Sequence, residues 1–248
     1  MKSINENFSF KIVLAKLPRG EPLGLTMLAQ HGVSAFRASA LARSGWLTHL
    51  ARGVYMLPGD TLVRDACLAY LSRQVAGLHV GGKSALAARG VRHNVAFRDV
   101  LSLWGDQTKP LPAWFTQKFE CRYQSTQLFD AGLAKGFALQ PLPLGLREML
   151  VSTPERALLE MLSDVGKSQS LSETRQIVEM LPNLRDEVLD VLLAHTTRIK
   201  VVRLALALAT EFELPWAPGA AVHSQRLGGG KRWVAVSRSG ERLDLKGV

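Results

Sequence analysis

GLTMLAQHGVSAFRASALARSGWLTHLARGVYMLP, residues 24–58, is the stretch that decides how this chain folds. Leu25 to His31 has the length and composition of a short helix, Gly32-Val33 of a tight turn, and Ser34 to Ser44 of a second helix opened by a Ser cap. After Gly45, the runs Trp46 to Leu50 and Val54 to Leu57 read as two short strands joined by Ala51-Arg52-Gly53. Helix, turn, helix and hairpin in that order make a winged helix-turn-helix. Upstream, Ile4, Phe8 and Ile12 recur at helical spacing with Val13 and Leu17 beside them, so residues 4–17 are expected to form the first helix of the same unit. Pro18-Arg19-Gly20-Glu21-Pro22 ends it.

At 3.6 residues per turn, the second helix of the motif turns Ser34, Ala38, Leu41, Ala42 and Gly45 toward the core. Phe36, Ser39, Ala40 and Arg43 fall on the opposite side, with Ala35 and Arg37 on its flanks. An aromatic ring outside the core needs a reason. In a DNA major groove an apolar group packs on a thymine methyl, Ser meets either base type, and Arg takes guanine edges or phosphate. The expected DNA-contacting set is therefore Ser34, Ala35, Phe36, Arg37, Ser39, Ala40 and Arg43, joined by His49 on the hairpin and Arg52 at its tip, where phosphate or a minor groove is in reach. The competing reading packs Phe36 against the first helix or a downstream domain and leaves the arginines solvated.

Composition bounds the rest. The chain has 248 residues, 47% of them hydrophobic, enough for one large or two ordinary domains with a buried core. Its 31 basic and 21 acidic residues give a net charge of +10, which suits a polyanionic partner. Up to Pro58 the basic residues outnumber the acidic by seven to two, so half of the excess lies in the first quarter. Cys67 and Cys121 stand far apart with no His at zinc spacing, which suggests neither a disulfide framework nor a metal site, and no cofactor is expected. Met1 to Asn7 is too polar to open a signal peptide, and Val201 to Ala209 is short and carries Arg203. A cytoplasmic protein without a membrane partner is the expectation.

Downstream, the turn residues Pro58-Gly59-Asp60 suggest a boundary between a winged domain, 1–59, and a mixed α/β domain, 60–248. The overall expectation is an α+β fold in which the second domain has a small sheet, a helical segment and a terminal β-hairpin. Thr61 to Val75 reads as a helix. Leu78 to Val80, Val100 to Trp104, Lys118 to Tyr123 and Phe137 to Leu142 read as strands, and Ser84 as the cap of a helix reaching Arg89. Ser152 to Glu155 has the form of a capping box before a helix to Val165, on which Glu160 and Asp164 are expected to face water. Further helices are expected over Ser172–Leu181, Leu184–His195 and Arg198–Phe212, with a hairpin region from Val222 whose strands are Arg232–Val236 and Glu241–Leu245.

Two charge patterns stay open. Gly77 to Ser84 satisfies the P-loop spacing, which would bring Lys83 to a phosphate, but its context reads as an ordinary turn into a helix. Arg198, Lys200 and Arg203 sit in the first turn of a helix, where the dipole disfavours cations, so either a bound anion or an acidic neighbour is expected there. With Arg226, Lys231 and Arg232 around the Gly228-Gly229-Gly230 loop they form a candidate second nucleic-acid patch.

The runs Gly32-Val33-Ser34, Gly45-Trp46-Leu47 and Leu50-Ala51-Arg52-Gly53-Val54-Tyr55 resemble the N-terminal winged helix of AbiEi-type antitoxins, the DNA-binding half of type IV toxin–antitoxin systems. The segments from Gly82 to Gly90, from Ser152 to Glu160, and from Val201 through Pro215-Trp216 to Arg232 follow in the family's order, so the resemblance spans nearly the whole chain. Where the family often carries basic residues, this chain has Ala35, Phe36, Ser39 and Ala40. The resemblance implies a non-enzymatic regulator that binds inverted repeats of double-stranded DNA in its own promoter. It implies too that the second domain counteracts a nucleotidyltransferase-like toxin, with no stable complex required. The alternatives are an enzyme acting on nucleotides or nucleic acid, and a winged-helix scaffold that contacts protein.

Overall fold

The structure, a computed structural model, describes residues 12–92, 100–228, 233–236 and 242–245. It contains two compact units. The first comprises the described residues up to Gln74 together with Pro112–Phe119, and the second comprises 75–111 and those from Glu120 on.

In the first unit, α1 covers residues 12–16; the expected helical residues before it lie outside the described ones. Then come β1 (Leu23–Gly24), α2 (Leu25–Gln30), α3 (Ala35–Arg43), β2 (Thr48–Ala51) and β3 (Val54–Met56). The sheet order is β1-β3-β2, antiparallel throughout. Gly32, at φ +76°, lets the chain leave α2 with Val33 N donating to Leu28 O, a left-handed exit that side chains with a Cβ resist. Gly53, at φ +74°, does the same at the hairpin tip. Leu17, Leu23, Leu28, Val33, Ala38, Leu47, Tyr55 and Leu57 form the core, with Leu41, Ala42 and Trp46 packed on it.

The unit does not stop near Gly59. Asp60 accepts from Gly20 N at 2.9 Å and from Arg19 at 2.7 Å, which ties the segment after Pro58 back to the loop before β1. Helix α4 (Arg64–Ser72) buries Cys67 to Leu71, and α6 (Ala113–Thr116) sets Trp114 edge-on to Tyr70 at 6.2 Å between ring centres. Turn chemistry at Pro58-Gly59 marks a bend, and the apolar face of α4 decides which side of it belongs to the core.

The second unit is built on a five-stranded mixed sheet, β6-β5-β4-β8-β7. Its strands are β4 (His79–Val80), β5 (Leu101–Trp104), β6 (Cys121–Gln124), β7 (Leu139–Gln140) and β8 (Val151–Ser152). Helix α5 (Gly82–Ala88) follows β4, and α7 (Pro154–Asp164) follows β8. Helices α8 (Leu171–Glu179), α9 (Asp186–His195), α10 (Ile199–Glu211) and α11 (Ala217–Gly228) come next, then the antiparallel pair β9 (Trp233–Val236) and β10 (Arg242–Leu245).

Four local expectations are corrected here. Gly81, not Ser84, caps α5; the Ser84 hydroxyl instead accepts from Ser102 N at 2.9 Å and so fastens the helix to β5. Thr153, not Ser152, is the cap residue of α7, because the Ser152 hydroxyl and the Glu155 carboxylate both have distant partners. Glu160 and Asp164, expected to face water, are 0% and 8% exposed, and Glu155 is buried as well at 2%. Residues 222–228 continue α11 rather than opening a hairpin, since a Pro in the first turn of a helix removes only an amide that would be unpaired anyway.

Candidate nucleic-acid interface

Helix α3 is fixed from its inner side. Ala38 is fully buried, Leu41 and Ala42 pack on the core, and Ser34 Oγ accepts from Arg37 N at 3.3 Å. That anchoring leaves Phe36 81% exposed. Burying a phenylalanine is worth about 1.5–3 kcal/mol, so the fold forgoes a sizeable contribution at this position. Phe36 is not taken into the core of its own unit. Ser34, Ala35 and Arg43 are exposed as well, while Arg37, Ser39 and Ala40 are half-buried. Arg43 Nη1 donates to Ser39 Oγ at 3.3 Å, one helical turn back, which lays the guanidinium along the helix.

On the wing, Arg52 is exposed beside Gly53, and among the described residues its side chain has no partner. His49 is exposed too, its ring edge-on to Tyr55 at 5.6 Å. No Asp or Glu occurs between Pro22 and Gly59, so the motif itself supplies no carboxylate to its arginines. The nine expected contact residues thus lie on α3, its cap and the hairpin of one unit. An outward apolar ring on a segment that has arginines and no carboxylate is a combination suited to base-edge and phosphate contact.

The P-loop-like segment has a different content. It runs from β4 through Gly81 into α5, and the anion at that helix start is the protein's own: Glu160 Oε2 accepts from Gly82 N at 2.9 Å. A Cβ on Gly81 would lie 2.3 Å from the same oxygen, so the glycine is there for the carboxylate. Glu160 also meets His79 Nε2 at 2.9 Å, Ser152 Oγ at 2.8 Å and Arg156 Nε at 2.8 Å. Burial pushes the Glu160 carboxyl up, but His79 and Arg156 together hold it below the usual carboxylate range. Lys83, the residue a P-loop would aim at phosphate, is paired with Glu173 at 2.8 Å.

The expected second patch does not assemble as drawn. Arg203 is 4% exposed and faces the interior. Arg198 and Lys200 bind Ser163 and Val165 at the end of α7, and the acidic neighbour beside them is Asp164, the last residue of that helix, which attracts Lys200. Arg226 reaches Leu193 O at 3.1 Å, near the end of a different helix, α9. Lys231 and Arg232 lie outside the described residues. A groove of about 440 Å³ in the same unit, lined by Asp186, Glu187, Asp190 and Trp216, carries the wrong charge for phosphate. Among the described residues no helix is long and apolar enough to cross a membrane.

Two family models together match residues 6–245. Residues 6–97 match the AbiEi antitoxin N-terminal domain of transcriptional regulators, and residues 98–245 match the transcriptional regulator, AbiEi antitoxin, of type IV toxin–antitoxin systems. Among solved structures, the RV2827C protein from Mycobacterium tuberculosis is similar at a TM-score of 0.59 and 17% identity, over 92% of this chain and 87% of that one. At that identity the likeness concerns the fold. No curated protein matches the chain.

Proposed function

We propose, from the premise that this chain belongs to the AbiEi antitoxin family of type IV toxin–antitoxin transcriptional regulators, that it represses its own operon by gripping inverted repeats of duplex DNA in the promoter. Ser34 to Arg43 enter the major groove, with Phe36 on a thymine methyl and Arg37 and Arg43 on base edges or phosphate. Arg52 and His49 hold the flanking backbone from the wing. The single observation that carries this reading is Phe36, 81% exposed on a helix whose other side is core. The second unit counteracts a nucleotidyltransferase-like toxin in the cytoplasm, without a stable complex and without chemistry of its own.

A reporter under the chain's own upstream region tests the regulatory half. Wild type silences it, and a triple variant, Arg37→Ala with Arg43→Ala and Arg52→Ala, derepresses it while accumulating to the same level. Co-expression of the adjacent toxin gene tests the other half, and there the triple variant is expected to protect cells as wild type does. Full repression by the triple variant would remove α3 and the wing from operator binding.

A further inference from the structure

Four cations converge on the turn that ends α7. Arg198 Nη1 donates to Ser163 Oγ at 2.5 Å, and Lys200 Nζ to Ser163 O and Val165 O at 2.9 Å each. Lys167 follows two residues on, with its amide held by Asp164 O at 2.9 Å. Arg122 shares one face of β6 with Gln124, two residues apart on an edge strand. Gln124 Nε2 reaches both Asp164 carboxylate oxygens, at 2.8 and 3.0 Å, so Arg122 borders the same turn.

These charges do not cancel. Carbonyl and hydroxyl oxygens are neutral acceptors, and a helix C-terminus supplies only about half a negative charge. The carboxylate among them is Asp164, 8% exposed, and burial pushes it up, toward its neutral form. With Asp164 fully ionised, a surplus of about two and a half positive charges would still remain. The crowding shows on Lys200: burial first, then Lys167 and Arg198, push its ammonium down to about 8 against the pull of Asp164. Arg122 and Lys167 are exposed, and among the described residues neither side chain has a hydrogen-bond or ion-pair partner.

We propose that Arg122, Lys167, Arg198 and Lys200 form a phosphate-binding site on the second unit that holds the backbone of a nucleic acid. The guanidinium forks of Arg122 and Arg198 match phosphate oxygens in pairs, and the two ammonium groups add point charge. Among the described residues, the groups beside these cations are the Ser163 hydroxyl, buried beneath Arg198, and the Gln124 amide, both polar. The site is distinct from the face of α3 and does not rest on operon repression.

The test uses the full chain carrying Arg37→Ala, Arg43→Ala and Arg52→Ala, so that failure at α3 and failure here are read separately. Binding of a twelve-nucleotide single-stranded RNA and of a duplex of unrelated sequence is followed by fluorescence anisotropy across a salt series. Inorganic phosphate and poly-glutamate serve as the other arms. Adding Arg122→Ala and Lys167→Ala, two exposed positions, is expected to weaken nucleic-acid binding roughly tenfold and to flatten the single-strand salt slope by about 1.4. Bound oligonucleotide should also move the NMR titration of the Lys200 ammonium upward. Unchanged affinity in the added variant, equal binding of poly-glutamate, or binding of inorganic phosphate alone would each overturn the proposal.

Discussion

Helix α3 carries two arginines and no carboxylate and keeps both near the surface, whereas helix α7 carries three carboxylates and buries every one. The helices have similar lengths, and both start from hydroxyl-bearing cap residues, Ser34 and Thr153. What differs is where their charges find partners. On α7 they find them inside the chain: Glu155 takes Arg185 at 2.9 Å, Glu160 takes four donors, and Asp164 takes Gln124. On α3 a cap and one i,i+4 bond hold the helix locally, and Phe36 stays exposed on its outer face. Substitutions should therefore act on stability at α7 and on binding at α3.

The sharpest way to break this contrast is Glu160→Ala. Removing the carboxylate leaves Arg156, His79, Ser152 Oγ and Gly82 N without their buried acceptor, and a broken buried pair costs about 3–5 kcal/mol. Urea denaturation should show that loss, while Phe36→Ala stays within about 0.5 kcal/mol of wild type. Near-equal midpoints for the two variants would erase the distinction.

Acid comes next. Burial raises the Glu155 carboxyl, yet the Arg185 side chain and amide more than offset this and hold it down at about 2. A depressed folded pKa contributes stability that is present above the unfolded value, near 4.5, and is lost as pH falls from there toward 2. The contribution is about 3 kcal/mol. Tm measured against pH should fall more steeply below pH 4.5 in wild type than in Glu155→Gln, and parallel curves would show that the pair gives nothing.

Smaller effects sharpen the α3 side. Ser34→Ala removes the cap acceptor for Arg37 N and should lower stability by about 1 kcal/mol in denaturant titrations. Arg52→Ala should leave stability alone and reduce the slope of log affinity against log salt by about 0.9 on duplex DNA, one phosphate contact. An unchanged slope would return Arg52 to the role of a solvated turn residue.

The sequence carried α3 well and α7 badly, for a physical reason. The outward face of α3 follows from local terms alone: a 3.6-residue period, a Ser cap, and arginines with no acid nearby. Gly32 and Gly53 marked the two tight exits. The charges of α7 follow local rules only in part: Glu160 meets Arg156 four residues back, but it also takes His79, 81 residues away, and Glu155 takes Arg185, 30 residues away. On the helix alone Glu160 and Asp164 look wet, until the strands deliver His79, Ser152 and Gln124. The same blindness affected Arg198 and Lys200, whose acceptors at Ser163 and Val165 lie on another helix, and it hid Arg122 and Lys167 altogether. Helix α11 was missed because the run from Val222 to the glycine loop reads as a hairpin region, whereas residues 222–228 close a helix that starts at Ala217.

Equilibrium binding of the chain to a labelled duplex from its own upstream region tests the central claim most directly, with wild type, Phe36→Ala and Arg43→Ala compared at one salt concentration and folding checked by circular dichroism. Each variant is predicted to keep its fold and to lose about 1–3 kcal/mol of operator affinity, with a smaller loss on unrelated sequence. Wild-type affinity in both folded variants would contradict the account and place the DNA contact, if there is one, elsewhere on the chain.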